Sequence, residues 1–257
     1  MESRLMRIRG DLRWLLALIA TASAIASFAQ SSPQPAWISI TITQVKPAKR
    51  AQFERYLKQV LAAYKKGGTP WFLTLQTFAG DTTEYTTVVP VMTFADLDGP
   101  PVPAKVLGQK GWESLSNKIA RCYNAQTRQF ATPLTALEIN KTDAPVGSYW
   151  VENRSQAIQE KMDDYLDWLK NEYRPALEKA GVAGFRLSIV VFGAEGGEII
   201  SMRMLKDLAE IDGGSILTRA LGSDRAREVS AKGAALASAK STRILRVRSD
   251  LTYLQSN

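Results

Sequence analysis

The chain has 257 residues, with 33 Lys and Arg against 25 Asp and Glu, no histidine, and one cysteine, Cys122. Without histidine it cannot build a His-ligated metal or haem centre, a Ser-His-Asp triad or a Cys-His nucleophile, and a lone cysteine permits no intramolecular disulfide. The net charge of +8 is moderate and interspersed with acids, which fits solubility or loose attraction to anionic surfaces better than nucleic-acid binding.

Residues 1–29 read as a cleavable signal peptide. Arg4, Arg7, Arg9 and Arg13 outnumber Glu2 and Asp11, Leu12 to Ala20 is nearly all apolar, and small residues run on to Ala29. The apolar core has the roughly 7–15 residues of a signal, whereas a spanning helix needs about 20. Ser27-Phe28-Ala29 fits the small-x-small rule, so cleavage leaves Gln30 as the new N-terminus; an uncleaved anchor is the alternative. No cysteine follows the core, which excludes a lipoprotein anchor, and there is no twin-arginine pair. The expected location is periplasmic or secreted, with the mature chain near +6.

After a polar lead-in at 30–36, Ile38, Ile40 and Ile42 alternate with Ser39, Thr41 and Thr43, which predicts a half-buried strand over Trp37 to Val45. Phe53, Leu57, Val60, Leu61 and Tyr64 then fall on one helical face, closed by Gly67-Gly68. Strands are expected at Phe72–Phe78 and Glu84–Phe94, a helix over about 103–124, and a strand at Pro133–Asn140. The order then repeats. A strand near Tyr149–Asn153 leads to a helix from about Ala157, in which Pro175 should force a kink or break. Strands at Phe185–Phe192 and Glu198–Leu205 flank a hairpin at Gly193–Gly197, before a helix at 215–239 and a strand at Arg243–Tyr253.

The halves align at an offset of about 113–114 residues. Trp37 falls on Trp150, Gly68 on Gly181, Phe72 on Phe185 and Gly80 on Gly193. Ala95-Asp96-Leu97-Asp98-Gly99 matches Ala209-Glu210-Ile211-Asp212-Gly213, and Leu107-Gly108 matches Leu221-Gly222. The predicted class is α+β: two tandem ferredoxin-like βαββαβ units, 37–143 and 144–257, packed sheet to sheet as a pseudo-dimeric α/β barrel. This order resembles the dimeric α/β-barrel superfamily, which includes antibiotic-biosynthesis-monooxygenase-like and NIPSNAP-like domains. The resemblance implies sheet-to-sheet pairing and, in the monooxygenase-like group, oxidation of flat hydrophobic molecules without metal or flavin. Haem-binding relatives use a proximal histidine, so their chemistry does not carry over.

Ser39, Thr41, Thr43, Thr74 and Gln76 form a polar sheet face; if it met the other half, the interface would hold bonded polar groups or a wet cavity. The candidate ligand-binding residues are Thr41, Thr43, Tyr64, Trp71, Thr74, Gln76 and Arg186. Asp96/Asp98 and Glu210/Asp212 read better as turn caps than as cation sites. Arg243, Arg246 and Arg248, alternating with Leu245 and Val247, read as a solvated strand face. No catalytic residue, metal or cofactor is implied. The expected partner is a small hydrophobic ligand, with no nucleic acid, no stable membrane anchor after cleavage, and room for a higher oligomer. The favoured function is a non-catalytic exported binding or interaction protein; the alternative is a cofactor-independent monooxygenase-like enzyme acting on a hydrophobic or aromatic small molecule.

Overall fold

The computed structural model of the chain describes residues 35–140 and 148–254. The signal segment, residues 30–34 of the lead-in and the 143/144 junction lie outside the described residues. Eight strands close into an antiparallel barrel: β1 (Trp37–Val45), β2 (Trp71–Ala79), β3 (Glu84–Val91), β4 (Tyr123–Pro133), β6 (Tyr149–Ala157), β7 (Gly184–Phe192), β8 (Glu198–Leu205) and β9 (Ala237–Val247). Their order is β2-β3-β1-β4-β7-β8-β6-β9, and β9 returns to β2. Short strands β5 (Ile139–Asn140) and β10 (Tyr253–Leu254) pair with β7 and β2. The helices are α1 (Arg50–Lys66), α2 (Val102–Leu107), α3 (Gln109–Ala120), α4 (Met162–Trp168), α5 (Arg174–Lys179), α6 (Ala209–Asp212), α7 (Ile216–Leu221) and α8 (Ser223–Ala234). Among the described residues no helix is long and apolar enough to cross a membrane.

Where periodicity was strong, element and sequence agree. In α1 the buried residues are Phe53, Leu57, Val60 and Ala63, a single helical stripe. The continuous helices expected at 103–124 and 215–239 are each broken in two. Gly108 (φ +73°) and Gly222 (φ +80°) sit at the breaks in a conformation costly for other residues. Pro175 has its effect just upstream: Leu169–Tyr173 form a π-helical turn, and the proline enters the first turn of α5, where a missing N–H costs nothing. The strands expected at 133–140 and 243–253 instead begin at Tyr123 and Ala237. Their leading residues, Asn124–Arg128 and Ser238–Ser241, are exposed, so no apolar alternation marks them.

The polar face of the first sheet does not turn into the barrel interior; Thr74 and Gln76 meet the second half on the outer side, through residues 246–252. Ile38, Ile40 and Ile42 turn into the barrel, where Ile40 packs with Val88, Ala131, Val190 and Ile200. Alternation sends Ser39, Thr41 and Thr43 to the opposite, helix-covered side, where Val45 packs with Phe53, Leu57 and Phe72. An apolar barrel centre stands where bonded polar groups or a wet cavity were expected if that face turned inward. The second half has its own larger helix-side core, including Trp168, Leu177, Phe185, Leu187 and Val229.

One barrel end is ionic. Arg154 lies opposite Ile200 on β8, hence faces inward. It donates through Nε to Glu152 (2.8 Å) and through Nη1 to Glu198 (2.5 Å) and Gln129 (3.1 Å). Arg243 donates to Glu152 (2.9 Å) and to Glu84, tying β9 to β6 and β3. Arg243 therefore points inward while Arg246 and Arg248 point outward, so the three arginines are not one solvated face.

Strand register bears on the alignment expected from the sequence. Gln44 stands opposite Glu84 as Gln156 stands opposite Glu198, and by that register Trp37 corresponds to Tyr149. A one-residue slip in a strand reverses the face a side chain occupies. Trp37 shares the face of Thr41, and Trp150 shares that of Glu152 and Arg154.

Candidate functional site

Between the start of α1 and the end of β9 lies an open cleft of about 510 Å³, over the helix-facing side of β2. Its walls include Arg50 and Glu54 of α1, Gln76 of β2, Arg246 of β9, and Arg248 and Asp250 just beyond. The residues come together because β9 closes the barrel on β2, with Arg246 opposite Gln76 and Val247 opposite Leu75. The chain then stays on β2: Arg248 N–H donates to the Thr74 carbonyl (2.9 Å), and a 3₁₀ turn over Ser249–Leu251 leads into β10.

Arg248 organises the cleft floor. It donates Nε and Nη2 to the two oxygens of Asp250 (2.9 and 3.0 Å), a bidentate pair. Its Nη1 reaches Glu54, Gln76 Oε1 (3.2 Å) and the Tyr85 hydroxyl (3.2 Å). Tyr85, buried on β3, donates to Glu54. The hydrogen bond from Arg248 holds the Glu54 and Asp250 carboxyls below their ordinary range. Burial, then the Glu54 carboxylate, pushes the Tyr85 hydroxyl well above a phenol's usual value. At neutral pH the cluster is ionised Glu54, neutral Tyr85 and charged Arg248. It orients and stabilises charge; it holds no poised base.

Of the residues singled out from sequence, Gln76 lies in the cleft. It accepts from Arg246 (3.1 Å) and Arg248, and gives Nε2 to the Thr82 carbonyl (3.0 Å). Thr41, Thr43, Thr74 and Tyr64 are on the same helix-facing side. Thr43 accepts from Gln126 (3.0 Å), and Thr74 Oγ1 donates to the Leu251 carbonyl (2.6 Å), anchoring the segment after β9. Tyr64 packs on Phe72 with ring centroids 5.3 Å apart, and burial raises its hydroxyl. Trp71 packs instead against the barrel-interior cluster. Arg186 is held by Glu138 (3.1 Å) and Asn140 (3.2 Å) beside β5, away from these residues. The acidic turn pairs are caps: Asp96 accepts from Thr93 N–H (2.9 Å), and Glu210 from Lys206 N–H (2.6 Å) and Arg203 (3.3 Å).

Sequence reading missed Arg50, Glu54 and Asp250; it read Arg246 as solvated, which its exposure matches, and Arg248 likewise, which is instead clamped in the cleft floor. The available signal was the alternate spacing of Arg246, Arg248 and Asp250, although β9 ends at Val247 and Asp250 lies in the 3₁₀ turn; what they face follows from barrel closure alone.

No protein-family profile matches the sequence, and no curated protein matches it. Solved structures do. An anthrone oxidase-like protein superposes with a TM-score of 0.62 at 11% identity, covering 86% of this chain and 94% of its own. A protein from Lactobacillus acidophilus described as a monooxygenase superposes at 0.58 and 10% identity, covering 87% of this chain and 98% of its own. One described as a chlorite dismutase superposes at 0.50 and 11% identity, covering 85% and 96%. The expectation of a non-catalytic binding protein is corrected by this: proteins sharing the fold over nearly their whole lengths are named as enzymes. The NIPSNAP-like tandem gains no support. The chain has the dimeric α+β-barrel fold of monooxygenase-like and chlorite-dismutase-like proteins, and the likeness is one of fold.

Proposed function

We propose that this chain is an enzyme of the cofactor-independent monooxygenase-like kind, acting on an aromatic small molecule in the cleft between α1 and the β2–β9 seam. The observation that carries the reading is the Tyr85–Glu54–Arg248 cluster beneath an open cleft of about 510 Å³, within the roughly 300–1,000 Å³ of small-molecule sites. An aromatic substrate whose phenol or activated methylene is acidic enough to give its proton to solvent water in the open cleft becomes electron-rich, and can then pass electrons to dioxygen directly. What the protein must supply is stabilisation of the substrate oxyanion, and preorganised cationic donors in a partly desolvated site do that. For a methylene, one oxygen atom becomes the product carbonyl and the other leaves as water, with the substrate supplying the electrons. Arg248, clamped by Glu54 and Asp250, keeps one Nη2 N–H outside its bonds to these and to Gln76 and Tyr85, and that fixed donor needs no reorganisation to meet the charge. Protonated Tyr85 keeps Glu54 and Arg248 in register from below.

The same reading includes duplication of a ferredoxin-like unit, 37–143 and 144–257, into a fused dimer. The strand order supports it, since β2-β3-β1-β4 is followed by β7-β8-β6-β9. Each seam also carries a matching aromatic pair: Phe78 with Tyr149 at 5.1 Å, and Phe192 with Trp37 at 6.2 Å. Export through the segment 1–29 places the enzyme in the periplasm or outside the cell.

The test is dioxygen uptake by the mature protein with a panel of phenols and anthrone-type substrates, with ¹⁸O₂ incorporation read by mass spectrometry. Turnover should carry one labelled atom into product and fall in Arg248→Met. Absence of uptake above buffer, for a compound shown to bind, would sink the enzymatic reading.

A further inference from the structure

The charges in the cleft are unevenly matched. Arg248 is met by Glu54 and Asp250, and Asp250 also draws Lys58 at 3.5 Å. Elsewhere in the fold, the part-buried arginines 154, 186, 203 and 243 each have a carboxylate partner. Arg50 and Arg246 do not. Among the described residues neither has a carboxylate within 4.0 Å; Arg50 Nη2 donates to the Thr82 carbonyl (2.9 Å), and Arg246 Nη2 to Gln76 Oε1 (3.1 Å). Both acceptors are neutral, and with Arg50 half-buried and Arg246 exposed, neither guanidinium charge is met by a carboxylate, so both face the cleft free to meet an anion. Each guanidinium has five N–H donors, most of them unused.

These two side chains are also braced. Gln76 accepts from Arg246 and donates Nε2 to the Thr82 carbonyl, the same oxygen that accepts from Arg50. One chain of hydrogen bonds through neutral acceptors therefore holds a cation from the start of α1 and a cation from β9 in the lining of one cleft. With three arginines against Glu54 and Asp250, the lining carries a net positive charge, and Val247 is its one aliphatic member. A wholly apolar ligand would find little to cover it here.

We infer that Arg50 and Arg246 form an anion subsite, and that the small molecule taken by the cleft carries a carboxylate, sulfate or phosphate group beside its aromatic body. The inference rests on the substrate reading above and sharpens its chemistry. Planar guanidinium forks suit such groups, and a charge-assisted bond is about twice as strong as a neutral one.

The test is calorimetric titration of the mature protein with benzoate, phenyl phosphate and neutral benzyl alcohol, without turnover. The anionic probes should bind and weaken as salt rises from about 10 to about 300 mM, with benzyl alcohol at least about tenfold weaker. Arg50→Gln and Arg246→Gln should each weaken the anions about tenfold or more, the scale of one charge-assisted bond, and leave benzyl alcohol unchanged. Arg246→Lys should retain part of the affinity, and Arg227→Gln, on exposed α8, all of it. Equal binding of neutral and anionic probes, or undiminished anion affinity in both Gln variants with unchanged melting temperature, would overturn the subsite. Anion binding without dioxygen uptake sinks the oxygenase reading and leaves the subsite standing. Uptake without anion preference does the reverse.

Discussion

Replacing Glu152 by Gln probes the ionic end of the barrel with almost no change of shape. Glu152 is 1% exposed and accepts from Arg154 Nε at 2.8 Å and from Arg243 Nε at 2.9 Å. The network already lacks acceptors, since Arg154 Nη2 is buried with no protein partner among the described residues. Gln removes one negative charge and can turn N–H donors toward two guanidinium groups that have none to accept them. Removing one member of a buried ion pair costs about 3–5 kcal/mol. For a domain of this size each kcal/mol moves the melting temperature by about 2–4 °C, so the expected fall is roughly 6–20 °C. The assay is differential scanning calorimetry of the mature protein at neutral pH, checked by urea unfolding, with equal calorimetric and van't Hoff enthalpies as evidence of one transition. Glu228→Gln is the control: its bond to Arg225 joins two side chains more than half exposed, and should change stability by under about 0.5 kcal/mol. A loss below about 1 kcal/mol for Glu152→Gln would refute the reasoning, because a buried, underpaired network cannot lose a charge that cheaply.

Glu54 and Glu138 should respond to acid with opposite signs. Glu54 is depressed chiefly by its hydrogen bond from Arg248, so its stabilisation is present above the unfolded carboxyl value and lost as pH falls through the lower folded one. Glu138 is raised by burial, so its effect favours the fold at low pH and is lost as pH rises through the folded value. Urea midpoints from pH 2 to 7 should therefore fall less steeply in acid for Glu54→Gln than for the parent, and more steeply for Glu138→Gln; matching slopes in all three would contradict the assignment. Gly233→Ala should destabilise α8 by about 1–3 kcal/mol through overpacking, despite a gain of about 1 kcal/mol in helix propensity. The added Cβ would stand 2.5 Å from Trp168, whose Nε1 donates to the Val229 carbonyl (3.0 Å). N-terminal sequencing of the exported protein should begin at Gln30; retention of Met1 on the exported form contradicts cleavage after Ala29.

Local physics carried a good deal of this protein. Alternating isoleucines marked β1 and an apolar stripe marked α1. The matched Leu107-Gly108 and Leu221-Gly222 pairs recur at the two helix breaks, although the sequence alone did not say that these glycines interrupt anything. Where a strand runs exposed, as in the leading parts of β4 and β9, no pattern betrayed it, because one-dimensional alternation reports burial rather than hydrogen bonding. Face assignment was likewise beyond local reading: Ser39, Thr41 and Thr43 look equally suited to either side of a sheet until both sides have partners. The candidate cleft depended most on closure. Arg50, Glu54 and Gln76 lie some 170 to 200 residues from Arg246, Arg248 and Asp250, and no short-range signal links them. The sequence by itself determined the order of strands and helices and the absence of histidine chemistry. The tertiary structure alone decided that β9 pairs with β2, since pairing across the seam is a long-range choice made by the packing of the whole barrel, and that pairing builds the cleft.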